Sequence, residues 1–150
     1  MAGTFTNLLF HVVFSTKHRQ PIITTDLQPE LYKYIGGIVR GQDGVLLEIG
    51  GIPDHVHLVT KFRADVSVAE MLRLIKANSS KWVNERPHPM GRFEWQAGYG
   101  AFSIGESQAP RVIRYIQDQE KHHRRMTFQD EFRKLLTRYR VEFDERYVWD

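Results

Sequence analysis

Two strand-type runs, Val45 to Ile52 and His55 to Phe62, are separated by Pro53-Asp54 alone. Runs this close can pair only as an antiparallel hairpin, because a parallel return needs a crossover of about a dozen residues or more. The rest of the chain has to be arranged around that hairpin. Before it, Phe5 to Ser15 is dense in β-branched and aromatic residues and reads as a first strand. Leu27, Leu31, Tyr34, Ile35 and Ile38 then recur at helical spacing behind a Thr24 or Thr25 cap, ending near Gly41 or Gly44. After the hairpin, Ser67 caps a second helix carrying Val68, Met71, Leu72, Ile75, Trp82 and Val83, which stops around Pro87-His88-Pro89. Gln96 to Ile104 reads as a short aromatic strand in which Gly98 and Gly100 invite close backbone approach. Pro110 suits the start of a third helix running to about Arg125, and Phe128 to Arg140 reads as a fourth.

The order β-α-β-β-α-β-α-α predicts an α+β fold. It is a split βαβ sandwich, ferredoxin-like or RRM-like, whose antiparallel sheet carries helices on one face, plus C-terminal helices. With 150 residues, 41% hydrophobic, residues 1–150 make one domain. The aromatic residues of the tail, Phe143, Tyr147 and Trp149, are expected to pack on the body or on a partner subunit.

Composition narrows the chemistry. The 21 Lys and Arg against 18 Asp and Glu give a net charge of +3, which tolerates a polyanionic partner without demanding one. The absence of cysteine excludes disulfides and thiolate metal sites, so any metal ligands must be His, carboxylate or amide. The apolar run Leu8 to Phe14 is too short to span a bilayer and lacks the basic start of a signal peptide. No membrane partner is expected, and the expected compartment is the cytoplasm.

His55 and His57 are two residues apart on a strand, so both imidazoles project from one face, ready for a metal. Alone, such a triplet fits equally a pair of locally hydrogen-bonded sheet histidines. In the third helix Tyr115 and Gln119 are four residues apart, about 40° around the axis, and can face one site. Val112, Ile113 and Ile116 form a separate apolar stripe that can anchor this helix, leaving Tyr115 at the edge of the buried face.

Three segments in this order and spacing carry a resemblance. They are Gly51-Ile52-Pro53-Asp54-His55-Val56-His57-Leu58, Trp95-Gln96-Ala97-Gly98-Tyr99-Gly100-Ala101-Phe102-Ser103, and Tyr115-Ile116-Gln117-Asp118-Gln119-Glu120-Lys121-His122-His123. Together they resemble the single-tyrosine HUH transposases of small bacterial insertion sequences, the IS200-like family, across nearly the whole chain. The resemblance implies a homodimer in which His55 and His57 bind a divalent metal, Gln119 completes the ligand set, and Tyr115 attacks single-stranded DNA with hairpin ends. It favours active sites shared between subunits, although the residues leave open whether the tyrosine serves its own chain. It also implies a covalent link to the 5′-phosphate and rejoining without ATP. A phenol of pKa about 10 is ionised only about once in a thousand at neutral pH, so Tyr115 needs help, and no base neighbours it in sequence. Imidazole and amide ligands hold Mg²⁺ weakly, so of Mg²⁺ and Mn²⁺ the second should bind better.

DNA contacts are expected from Lys17 and Arg19, from Arg73 and Lys76 on the second helix, and from Lys121 and Arg124. The first four, with His18 and Lys81, could line one groove for a folded DNA end. His122 could approach the DNA but reads first as a surface histidine. His11 reads as a satisfied core histidine. Two other functions fit the fold. One is a non-catalytic RNA-binding module, for which the RNP1 string is missing. The other is a domesticated relative that processes chromosomal repeats.

Overall fold

The computed structural model describes residues 3–87 and 91–150. Its elements are β1 (Leu9–Ser15), a 3-10 turn (Lys17–Arg19), α1 (Leu27–Gly41), β2 (Val45–Ile52), β3 (His55–Lys61), α2 (Val68–Asn84), β4 (Gly100–Ile104), α3 (Ala109–Gln117), α4 (Gln119–His122) and α5 (Phe128–Arg138). The strands form one antiparallel sheet in the order β2-β3-β1-β4. This is the split βαβ arrangement that the element order predicts. The second helix ends at Asn84, and the His88-Pro89 stop lies outside the described residues.

Strand pleating divides the core into two. Val12 and Phe14 of β1 and Val56 and Leu58 of β3 point to α1 and α2, meeting Leu31, Ile35, Met71 and Ile75. The alternate residues point the other way, toward α3 and α5. Leu9 and Val59 meet Ile116 there, and Val13 meets Phe128 and Phe132. The C-terminal helices therefore cover the face opposite α1 and α2. Both central strands are buried on both faces, which accounts for apolar residues on both faces of β1, broken only by His11 and Ser15. His11, His55 and His57 share the α3–α5 face by the same alternation.

Local capping follows the sequence closely. The Thr24 hydroxyl accepts from Leu27 N at 3.2 Å and the Ser67 hydroxyl from Glu70 N at 3.0 Å. Two element limits differ from the predicted ones. β1 starts at Leu9, with Phe5 exposed ahead of it. β4 starts at Gly100, because the carbonyls of Gln96, Ala97 and Gly98, free for pairing in a strand, converge instead on the Lys76 ammonium.

The predicted third helix does not run through to Arg125. It breaks at Asp118, whose backbone N–H is shared between the carbonyls of Arg114 and Tyr115, and restarts as α4. Neither glycine nor proline marks this kink. α3 sits close on β2 because residue 50 is glycine: a Cβ there would meet Ile116 Cγ2 at 2.8 Å. Of the tail aromatics, Trp149 packs near Phe132 with the Arg133 guanidinium 4.9 Å from its ring centre, whereas Phe143 and Tyr147 are exposed.

Candidate metal centre and its tyrosine

The site forms where β3, α4 and α5 converge, and it begins with the hairpin turn. Asp54, in that turn, sets one edge of His55: Asp54 Oδ1 lies 2.7 Å from Nδ1. Nε2 of His55 is thereby aimed inward, 2.8 Å from the Gln119 side-chain oxygen and 3.2 Å from Glu131 Oε1. His57 opposes Val13 in the sheet register, which places His11 on the diagonal. The two rings meet at 2.9 Å, His11 Nε2 to His57 Nδ1.

The group on which these side chains converge is Glu131 of α5. Its Oε1 lies 3.0 Å from His57 Nε2 and 2.9 Å from His123 Nε2. Its Oε2 accepts the Tyr115 hydroxyl and, at 2.8 Å, the Gln119 amide N–H. His55, His57, Gln119 and Glu131 are each at most 1% exposed. An ionised carboxylate only accepts, so His57 carries its proton on Nε2 and Nδ1 must accept from His11. His11 Nδ1 is left a buried atom without a partner, so the histidine read as satisfied is only half so.

The protonation states follow. Burial pulls the His55 imidazole down, but its hydrogen bonds to Asp54 and Glu131 and their charges override this, raising its pKa to about 9. Burial and the neighbouring His57 hold His11 neutral, with a pKa of about 3. Burial likewise lowers His57, against the opposing pull of Glu131. Burial works to raise the Glu131 carboxyl, yet the bonds from His123, His55 and His57 hold it far below the usual carboxylate range. Burial pushes the Tyr115 phenol well above its ordinary value, and the Glu131 charge pushes it further. In this network the phenol is held protonated.

The donor set suits a divalent cation. One atom each from His55, His57 and Glu131 lies within 4.8 Å of the others, all buried, and the Gln119 oxygen adjoins them. Asp54 and His11 orient the two rings from behind, as outer partners of metal-bound histidines do. The anticipated residues His55, His57, Gln119 and Tyr115 are all brought together, and within one chain. Glu131, His123 and the role of His11 were not anticipated. A signal for Glu131 was present: it sits among Phe128, Phe132 and Leu135 on the apolar stripe of α5, where a carboxylate is costly.

Tyr115 opens onto a cavity of about 350 Å³ lined also by His11, Val112, His122 and Tyr139. The His122 ring centre lies 4.7 Å from that of Tyr115, so this histidine borders the phenol. On the other side of the molecule, Lys17, His18, Arg19, Arg73 and Lys76 line one open groove of about 850 Å³. Its cations are partly engaged, Lys17 with Glu94 at 3.3 Å and Arg73 with Glu70 at 2.6 Å. Lys81 is not among the groove's lining residues, and Lys121 and Arg124 border neither space. No described helix is long and apolar enough to cross a membrane.

Residues 4–119 match the family described as "Transposase IS200 like". The transposase for insertion sequence element IS200 of Salmonella typhimurium is 24% identical over 127 residues, covering 81% of this chain and 80% of that protein. The Salmonella typhi transposase of the same name matches equally. The fold resembles the crystal structure of a candidate transposase from Deinococcus radiodurans R1, with TM-score 0.63 and 20% identity over 79% of this chain and 95% of that one. It also resembles a REP-associated tyrosine transposase solved bound to a REP hairpin, with TM-score 0.61 and 15% identity over 82% and 74% of the two chains.

Proposed function

Since this chain belongs to the IS200-like transposase family, we propose that it cuts and rejoins single-stranded DNA at insertion-sequence ends, with Tyr115 as the attacking group. The observation that carries this reading is the meeting of the Tyr115 hydroxyl, the Gln119 amide and two strand imidazoles on one buried carboxylate. His55, His57 and Gln119 hold a divalent metal, Mg²⁺ or Mn²⁺, with Glu131 as an added anionic donor. Such an ion, when bound, supplies positive charge that polarises the scissile phosphate and stabilises the charge developing on it.

The protein's own groups do the rest. Asp54 keeps one His55 proton on Nδ1, so that Nε2 ligates once it gives up its own, and His11 steadies His57. Glu131 Oε2, already hydrogen-bonded to the phenol, takes its proton as the phenol oxygen bonds to phosphorus and becomes acidic, while His123 stays on Oε1. Tyr115 Oη then bonds to phosphorus as the bond from phosphorus to the 3′ oxygen breaks. In net terms the phenol proton ends on the released 3′-hydroxyl and the 5′-phosphate stays on the tyrosine. Attack by another strand's 3′-hydroxyl reverses the step, so phosphoester bond energy is conserved and no ATP is required.

We assign a hairpin DNA end to the groove of Lys17, Arg19, Arg73 and Lys76, a ligand class seen in the REP-hairpin complex of similar fold. Because Tyr115 reaches the carboxylate shared by its own chain's imidazoles, each copy in a homodimer carries a complete site. The test is incubation with a hairpin-bearing single strand and Mn²⁺. Wild-type protein gives a DNA adduct that survives denaturing electrophoresis, Tyr115→Phe binds DNA without forming one, and an adduct persisting in that variant removes the tyrosine from the reaction.

A further inference from the structure

Tyr115 lies at the bottom of a cleft between two helices, and the rim of that cleft is positive. From α3 come Arg111, Val112 and Tyr115, one face of that helix; from α5 come Glu131, Lys134, Leu135 and Arg138, spaced three, four and seven along one face. Arg111, Lys134 and Arg138 are exposed, and among the described residues none has a side-chain hydrogen bond or an ion pair. Exposed Arg73 and Arg146 and the half-buried Arg133 each hold a carboxylate instead. Three unpartnered cations beside the half-buried Tyr115 leave room for an anion that arrives from outside. The walls between them, Val112, Leu135 and Tyr139 with the His122 ring, are apolar or aromatic surfaces suited to the flat faces of bases. The volume of about 350 Å³ lies in the range of ligand pockets.

We infer that this α3–α5 cleft is the channel by which the single strand reaches Tyr115, with Arg111, Lys134 and Arg138 gripping the phosphates that flank the one to be cut. It rests on the reading of Tyr115 as the nucleophile and adds where the strand lies. The cleft shares no lining residue with the basic groove assigned to the hairpin, so the two DNA parts are held by separate surfaces.

The separation makes the inference testable with two probes: a hairpin without flanking strand, and a hairpin-free single strand spanning the cleavage site. In a Tyr115→Phe background, which leaves the strand intact, fluorescence anisotropy is recorded across a salt series with and without Arg111→Gln, Lys134→Gln and Arg138→Gln. The triple substitution should weaken the hairpin-free strand at least tenfold. It should also shrink the slope of log affinity against log salt by about 2, at about 0.7 per phosphate contact on a single strand. Hairpin affinity should stay within twofold. An unchanged slope, equal losses on both probes, or no binding of the hairpin-free strand by the unsubstituted cleft would overturn the channel. If the protein with Tyr115 intact still forms its adduct in that case, only the channel falls; if it never forms one, the reading of Tyr115 falls as well.

Discussion

Tyr115 and His57 are hydrogen-bonded to the same carboxylate, that of Glu131, the phenol on Oε2 and the imidazole at 3.0 Å on Oε1. The phenol proposed as nucleophile and a metal-ready ring are thus joined through one buried group that neither α3 nor β3 supplies. The proposed reaction gives Glu131 three functions: it holds the phenol in place, joins the donor set, and takes the phenol proton.

Replacing Glu131 by Gln keeps the shape and removes the charge. Calorimetric titration should show Mn²⁺ affinity lowered at least tenfold, and single-turnover adduct formation should slow on the order of a hundredfold, the span of a lost general base. Unchanged affinity and rate in the variant would leave Glu131 a bystander.

The metal-free protein should be sensitive to alkali. The folded-state pKa of His55 is raised from 6.5 to about 9, so its contribution is complete below pH 6.5 and is lost as pH climbs through 9. At most about 3 kcal/mol is at stake. His11 works in the opposite sense: held down at about 3, its contribution is present above 6.5 and is lost as pH falls toward 3. Urea unfolding in EDTA at pH 6.5 and 9 measures the first effect, and His55→Asn should flatten it. Equal stability of the unsubstituted protein at both pH values contradicts the assigned His55 network.

A site complete within one chain makes a definite statement about mixtures. Combining a His57→Ala chain with a Tyr115→Phe chain should restore no cleavage, because each copy lacks one part of its own site. Recovered adduct in the mixture would mean that the tyrosine of one subunit serves the imidazoles of another.

Much of this centre could be read from the chain because it depends on local periodicity. The pleat of β3 puts His55 and His57 on one face whatever surrounds them, and the i,i+4 spacing brings Gln119 under Tyr115 even across the kink at Asp118. Glu131 depends on how α5 docks on the sheet, a tertiary contact that no spacing encodes. Its place on an apolar stripe was the available hint. His11 looked like core because its partner is fixed by the register of β1 against β3. The kink had no glycine or proline to announce it, and the C-terminal helices gave no sign of which sheet face they would cover. Lys76, expected as a DNA contact, does line the groove, and its ammonium also holds three backbone carbonyls there, a tertiary contact that helix spacing does not encode.

The most direct measurement is the identity of the atom that becomes joined to DNA. After reaction with Mn²⁺ and a hairpin-bearing strand, proteolysis and mass spectrometry should find one modified peptide, carrying a 5′-phosphorylated nucleotide on Tyr115, alongside a released strand ending in a 3′-hydroxyl. Attachment to another residue, or a released strand ending in a 3′-phosphate, would contradict the account.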